Sequence, residues 1–189
     1  MGKIKLAIDP GHGMGNSRPG VYDPGAVSGG IDEASIALQW ALAGKYIAAN
    51  AFNGKIDVFL TRSSGTTPSP LSKRVALSSR ERCTHYLSIH CNSALLPIAS
   101  GTEAYYRDLE DKAFASTVLK SACNALRLKN RGLKLEGSSQ HSRLAVFGFD
   151  GPTTLIELGF ITNKSDRSAM SERENRVEFW TSLFKDILR

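Results

Sequence analysis

Two histidines and two glutamates in this chain stand at the ends of apolar runs or at a helix start. Ile4 to Ile8 leads into Asp9-Pro10-Gly11-His12-Gly13, and Tyr86-Leu87-Ser88-Ile89 leads into His90. A third run, Thr154-Leu155-Ile156, delivers Glu157 just before Leu158-Gly159, which reads as a turn. Glu33 opens the first helical pattern. Open α/β sheets gather their ligand sites outside the carboxyl ends of the strands. Two imidazoles and a carboxylate there, from His12, Glu33 and His90, suit tetrahedral zinc with one position left for water. Plainer roles compete: His12 as a turn histidine, and Glu33 as a helix-start carboxylate favoured by the macrodipole. Glu157 lies among apolar residues and needs a charge partner, which a nearby cation and its water would supply. Its natural role is then general base toward that water.

Other polar residues rank below these four. Asp23 either accepts from His12 or does ordinary turn work in Asp23-Pro24-Gly25. Asn92, and His141 in the polar loop Ser139 to Arg143, are candidates for substrate contact, with a solvated loop as the alternative for His141. Cys91 beside His90 is a poor nucleophile candidate, because strand neighbours point to opposite faces. His85, at the far end of that strand, reads as structural, and Arg62 and Arg74 read as structural ion-pairing partners.

These side chains need a frame, and the chain alternates strand-like and helical patterns as a mostly parallel, two-sided sheet requires. Strands are expected at Ile4 to Ile8, Ile56 to Thr61, Tyr86 to His90, Thr102 to Tyr106 and Thr153 to Glu157. Helices are expected at Glu33 to Ala49, Leu71 to Arg82, Lys112 to Leu126 and Glu174 to Leu188. The segment Gly13 to Gly30 carries six glycines and two prolines, which suits a loop that shapes a site. Ser63 to Pro70 reads as a surface connection.

At 189 residues the chain suits one domain, 1–189, with a sizeable core, and nothing forces a second. The net charge of +6 comes from scattered Lys and Arg, which argues against a dedicated nucleic-acid face and suits an anionic polymer. Three cysteines without CxxC spacing argue against a disulfide framework. No stretch approaches the roughly 18 apolar residues of a membrane span, and the N-terminus lacks a signal-peptide pattern. A monomer is expected.

Asp9-Pro10-Gly11-His12-Gly13, Asp23-Pro24-Gly25-Ala26, Gly30 with Glu33, Leu60-Thr61-Arg62, Arg74, Ser88-Ile89-His90-Cys91-Asn92, Arg131-Gly132 and Ile156 to Asn163 occur in that order. The series resembles the zinc-dependent N-acetylmuramoyl-L-alanine amidase family often called amidase 3, from Leu6 to the last helix. The resemblance implies zinc ligands at His12, Glu33 and His90, a catalytic Glu157, and peptidoglycan as substrate. It also implies a twisted, mostly parallel sheet of about six strands flanked by helices, the phosphorylase/hydrolase-like architecture. Cys91 departs from a common small alanine, and Ser78-Ser79 replaces an asparagine often found before the third strand. The resemblance and the missing leader together suggest cytoplasmic synthesis. The wall would then be reached by holin-type release, as for a phage endolysin, or in sporulation or recycling.

Overall fold

A computed structural model describes residues 3–139 and 142–189. The strands are β1 (Ile4–Pro10), β2 (Gly13–Met14), β3 (Tyr22–Asp23), β4 (Val27–Ser28), β5 (Ile31–Asp32), β6 (Ile56–Leu60), β7 (His85–Asn92), β8 (Thr102–Tyr106), β9 (Asn130–Leu135) and β10 (Thr153–Phe160). The helices are α1 (Glu33–Ala51), α2 (Leu71–Arg80), α3 (Leu109–Leu126), α4 (Lys164–Ser171) and α5 (Arg173–Ile187). Six strands form one sheet in the order β6-β1-β7-β10-β8-β9, as expected in number and kind. The first four in that order run parallel; β8 is antiparallel to β10 and β9 follows β8.

Alternation along the strands sorts side chains between two unequal faces. Leu6, Ile8, Leu87, Ile89, Cys91, Ile156 and Leu158 join one core with α1, α3 and α5. On the other face Ala7, Tyr86 and Leu155 pack with Val146, Phe147 and Phe149, and Val75 of α2 leans on that smaller cluster. The thick face is sealed by indoles. Trp40 Nε1 donates to Met170 O at 2.8 Å and Trp180 Nε1 to Trp40 O at 2.8 Å, so both polar handles are satisfied in the interior. Gly44 lets α1 and α5 approach: a Cβ there would lie 2.6 Å from Trp180 Cε2.

Several expectations needed correction. β10 does not end at Glu157; it runs on to Phe160, with a register shift against β7 between Glu157 and Phe160, so Leu158-Gly159 is bulged strand rather than turn. β9 and α4 were not foreseen, and Gly13 to Gly30 contains two short antiparallel ribbons, β2–β3 and β4–β5. α2 stops at Arg80, two residues early, just before Arg82 takes φ 56°. α3 starts at Leu109, earlier than expected, because Asp108 caps it by accepting from Asp111 N at 3.1 Å.

Candidate metal centre and its cavity

His12, Glu33 and His90 reach one point from three elements. His12 follows β1 with φ 58°, a left-handed backbone that costs a non-glycine residue about 1 kcal/mol and must be held by its surroundings. Two buried arginines hold it. Arg62 donates to Pro10 O (3.1 Å), Gly11 O (2.8 Å) and Ala34 O (2.8 Å), tying the histidine loop to the first turn of α1. Arg74 donates to His12 O at 2.7 Å and pairs with Asp9 at 3.0 Å. Arg74 is therefore the structural ion-pair partner expected, whereas the recorded bonds of Arg62 go to backbone carbonyls rather than to a carboxylate.

Glu33 begins α1 directly after the cap Asp32, whose Oδ1 accepts from Ser35 N at 2.7 Å. His90 lies on the thin face of β7, the face opposite Ile89 and Cys91, as alternation requires. Two glycines make room. A Cβ at Gly11 would lie 2.6 Å from His90 Nε2, and one at Gly25 would lie 2.6 Å from both Glu33 Oε2 and His12 Cδ2.

One nitrogen of each ring and a Glu33 oxygen lie within 4.8 Å of one another. Glu33 Oε1 is 2.8 Å from His90 Nδ1 and 3.2 Å from His12 Nε2, and it accepts from Cys91 N at 3.0 Å. Glu33 Oε2 accepts from Ala26 N at 3.0 Å. The opposite ring nitrogen of His12 meets Asp23 Oδ2 at 3.1 Å, the carboxylate–histidine pairing that fixes a metal-binding tautomer. Asp23 makes both contacts foreseen for it, since its Oδ1 also accepts from Gly25 N at 2.9 Å within the Asp23-Pro24-Gly25 turn.

Burial opposes charge on Glu33, yet the hydrogen bonds from His12 and His90 and their attraction hold its carboxyl far below the usual range. For His12, burial likewise opposes protonation, and the contacts with Glu33 and Asp23 outweigh it to raise its proton affinity. Glu157 is the reverse case. Burial, then the negative charge of Glu33 and Glu103, pushes its carboxyl well above the ordinary value. Its Oε2 is enclosed and finds no hydrogen-bond partner among the described residues.

These groups line one cavity of about 360 Å³ with Asn92, Ser93, Tyr105, Ser139, Leu144 and Leu155. Two imidazole nitrogens and a carboxylate oxygen already converging, with an unpartnered acid beside them, fit a divalent cation with an open position. Asn92 is on the cavity wall as expected; His141 lies outside the described residues. Cys91 also touches the cavity but is 4 % exposed, and burial raises its thiol pKa well above the usual value, which removes it as a nucleophile. His85, half-buried against Phe114 with ring centroids 5.2 Å apart, is structural. Glu103 and Tyr105 were not foreseen at the site. A charged residue inside Thr102-Glu103-Ala104-Tyr105 was the available signal.

A family model described as N-acetylmuramoyl-L-alanine amidase matches residues 6–189. A sporulation-specific N-acetylmuramoyl-L-alanine amidase of Bacillus subtilis (strain 168) is 31% identical over 170 residues, covering 88% of this chain and 60% of the relative. The chain therefore spans only part of that protein's length. Among solved structures, the catalytic domain of CwlV, an N-acetylmuramoyl-L-alanine amidase from Bacillus (Paenibacillus) polymyxa var. colistinus, superposes with a TM-score of 0.81 at 28% identity, covering 97% of this chain and 96% of that one. The N-acetylmuramoyl-L-alanine amidase AmiC2 of Nostoc punctiforme gives a TM-score of 0.80 at 27% identity, covering 99% and 96%. No helix among the described residues is long and apolar enough to cross a membrane.

Proposed function

The chain belongs to the N-acetylmuramoyl-L-alanine amidase family, amidase 3, and on that premise we propose that it is a zinc-dependent hydrolase. Its target is the amide between N-acetylmuramic acid and L-alanine in bacterial peptidoglycan. The observation that carries the proposal is the convergence of His12, Glu33 and His90 within 4.8 Å in a cavity shared with the unpartnered Glu157.

His12, Glu33 and His90 would hold the ion, with Asp23 orienting the His12 ring. When bound, Zn²⁺ supplies a Lewis acid that polarises the scissile carbonyl and acidifies water, and its charge offsets the negative field raising Glu157. Glu157 then takes the proton of the attacking water. It returns that proton to the alanine nitrogen as the carbon–nitrogen bond breaks, so one carboxyl serves as base and then as acid. The raised proton affinity of Glu157 suits it to accept, and its place on the cavity wall beside His12, Glu33 and His90 puts it within the same space as the attacking water.

The sporulation-specific relative of Bacillus subtilis supports a setting in sporulation beside the endolysin route. The whole chain, 1–189, is proposed as the catalytic domain. The deciding measurement is chemical: purified peptidoglycan treated with the zinc-loaded protein should release new L-alanine amino termini and no new reducing ends. Release of D-amino acids or of meso-diaminopimelate ends would instead identify a peptidase acting within the stem.

A further inference from the structure

Glu157 does not stand alone on its face. In the strand registers His90 is opposite Glu157, and Glu157 is opposite Glu103, so β7, β10 and β8 carry these three residues in one row. Like charges directly opposite each other on neighbouring strands are destabilising, and one of the two glutamates must be compensated. Glu103 is the compensated one. It is 4 % exposed, and its Oε2 accepts from Arg131 Nε at 2.8 Å. Arg131 is itself laid over the Phe160 ring, 4.8 Å from the centroid, which fixes the guanidinium from behind.

The other oxygen of Glu103 faces Asn92. Glu103 Oε1 accepts from Asn92 Nδ2 at 3.0 Å, and Asn92 Oδ1 accepts from Ser93 N at 2.9 Å. A carboxylate can only accept and a backbone N–H can only donate, so the two neighbours admit one flip of the carboxamide. An asparagine side chain has two N–H donors and two acceptor lone pairs. With one of each engaged, one donor and one acceptor remain, the complement of a peptide amide. Tyr105 adds a hydroxyl to the same wall, 3.4 Å from Glu103 Oε1. Burial, with Glu103 and Glu157 nearby, raises that phenol to about 12, which keeps it a donor at neutral pH.

We propose that Glu103, clamped by Arg131, is a positioning residue: it sets the Asn92 carboxamide so that its free N–H and free lone pair grip a backbone amide of the substrate's peptide stem. This rests on the wall-amidase function proposed above, which supplies a substrate rich in such amides. Glu103 would reach the peptide stem through Asn92, so its share in KM should vanish once Asn92 is removed, whereas its charge beside Glu157 bears on kcat; the two effects are separable.

The test is a double-mutant cycle on a soluble muramyl peptide with the zinc-loaded protein. Asn92→Ala should raise KM about tenfold with kcat changed far less, the scale of one lost two-point amide contact. Glu103→Ala should raise KM in the same direction, and Glu103→Gln, which can still present an oxygen to Asn92, should recover part of the loss. Asn92→Ala combined with Glu103→Ala should be no worse in KM than Asn92→Ala alone, because the second change acts on a group already removed. Additive KM losses, or an unchanged KM in Glu103→Ala, would overturn the proposal. A second readout needs no turnover. The Asn92 side-chain proton bonded to Glu103 should exchange slowly by NMR in the wild type and lose that protection in Glu103→Ala. Unchanged Asn92 signals in Glu103→Ala overturn the positioning role even if the wild type cleaves no wall at all, whereas a wild type that cleaves no wall overturns the amidase function alone.

Discussion

Glu33 and Glu157 line one cavity from different elements, and the chain treats the two carboxyls in opposite ways. Glu33 opens a helix and is saturated: His12, His90, Cys91 N and Ala26 N all lie within 3.2 Å of its oxygens. Glu157 sits mid-strand with one oxygen enclosed and unpartnered. Partners hold the first carboxyl down and burial drives the second up, although both are glutamates facing the same space. Under the proposed function, the difference separates the group that would stay charged and hold a cation from the one that would exchange a proton.

The strongest way to break that contrast is to exchange the consequences of losing each side. Replacing both His12 and His90 by Ala should abolish zinc binding and, with it, turnover; Glu157→Gln should keep about one zinc per chain by elemental analysis while turnover falls by about 10²-fold or more. Full zinc in the double-histidine variant would remove the metal assignment. Wild-type turnover in Glu157→Gln would remove the proton-transfer role.

A finer cut falls on Asp23, which touches the His12 ring through Oδ2 and Gly25 N through Oδ1. Asp23→Asn should weaken zinc affinity by about 10- to 100-fold, the usual cost of losing an outer partner of a ligating histidine. Competition with a chelator measures it, and an unchanged affinity would show that the His12–Asp23 contact is turn chemistry alone.

Asp9 offers a third carboxylate for comparison, saturated like Glu33 but outside the cavity. Burial disfavours its charge, yet Arg74 at 3.0 Å, with the hydroxyls of Thr61 and Ser88, keeps its pKa below the ordinary value. A group depressed on folding contributes stability that is complete above its unfolded pKa and is lost as pH falls through the folded one. Metal-free protein should therefore hold this contribution above about pH 4 and lose it on further acidification. Arg74→Met should cost about 3–5 kcal/mol in denaturant unfolding at neutral pH, because it leaves Asp9 buried without its partner, and should flatten that acid slope. A cost below about 1 kcal/mol would place the pair among the weak ones.

The residues at the site were legible because strand ends and helix starts leave local marks. His12 and His90 close apolar runs, Glu33 follows the cap Asp32, and Glu157 interrupts an apolar strand. Other elements left weaker marks. β9 reads as a loop, since it is an edge strand with Gly132 at φ 90° and no fully buried residue. α4 is eight residues long and buries only Asp166 and Met170, too little periodicity to register. The antiparallel course of β8 and β9 was also hidden, because a strand alternates identically in either direction.

Local order of residue types was enough to determine that this chain forms a two-sided α/β sheet and carries a possible ligand set at its strand ends, since periodicity, caps and glycine turns act over a few residues. Which glutamate finds partners was decided only by tertiary structure. Glu103 and Glu157 stand side by side on one face, yet Arg131 and Asn92 reach the first and nothing described reaches the enclosed oxygen of the second. Those partners are brought by the fold from 11 and 28 positions away along the chain for Glu103, and from 57 and 58 for His90 and Cys91 on Glu33, and no local pattern encodes those distances.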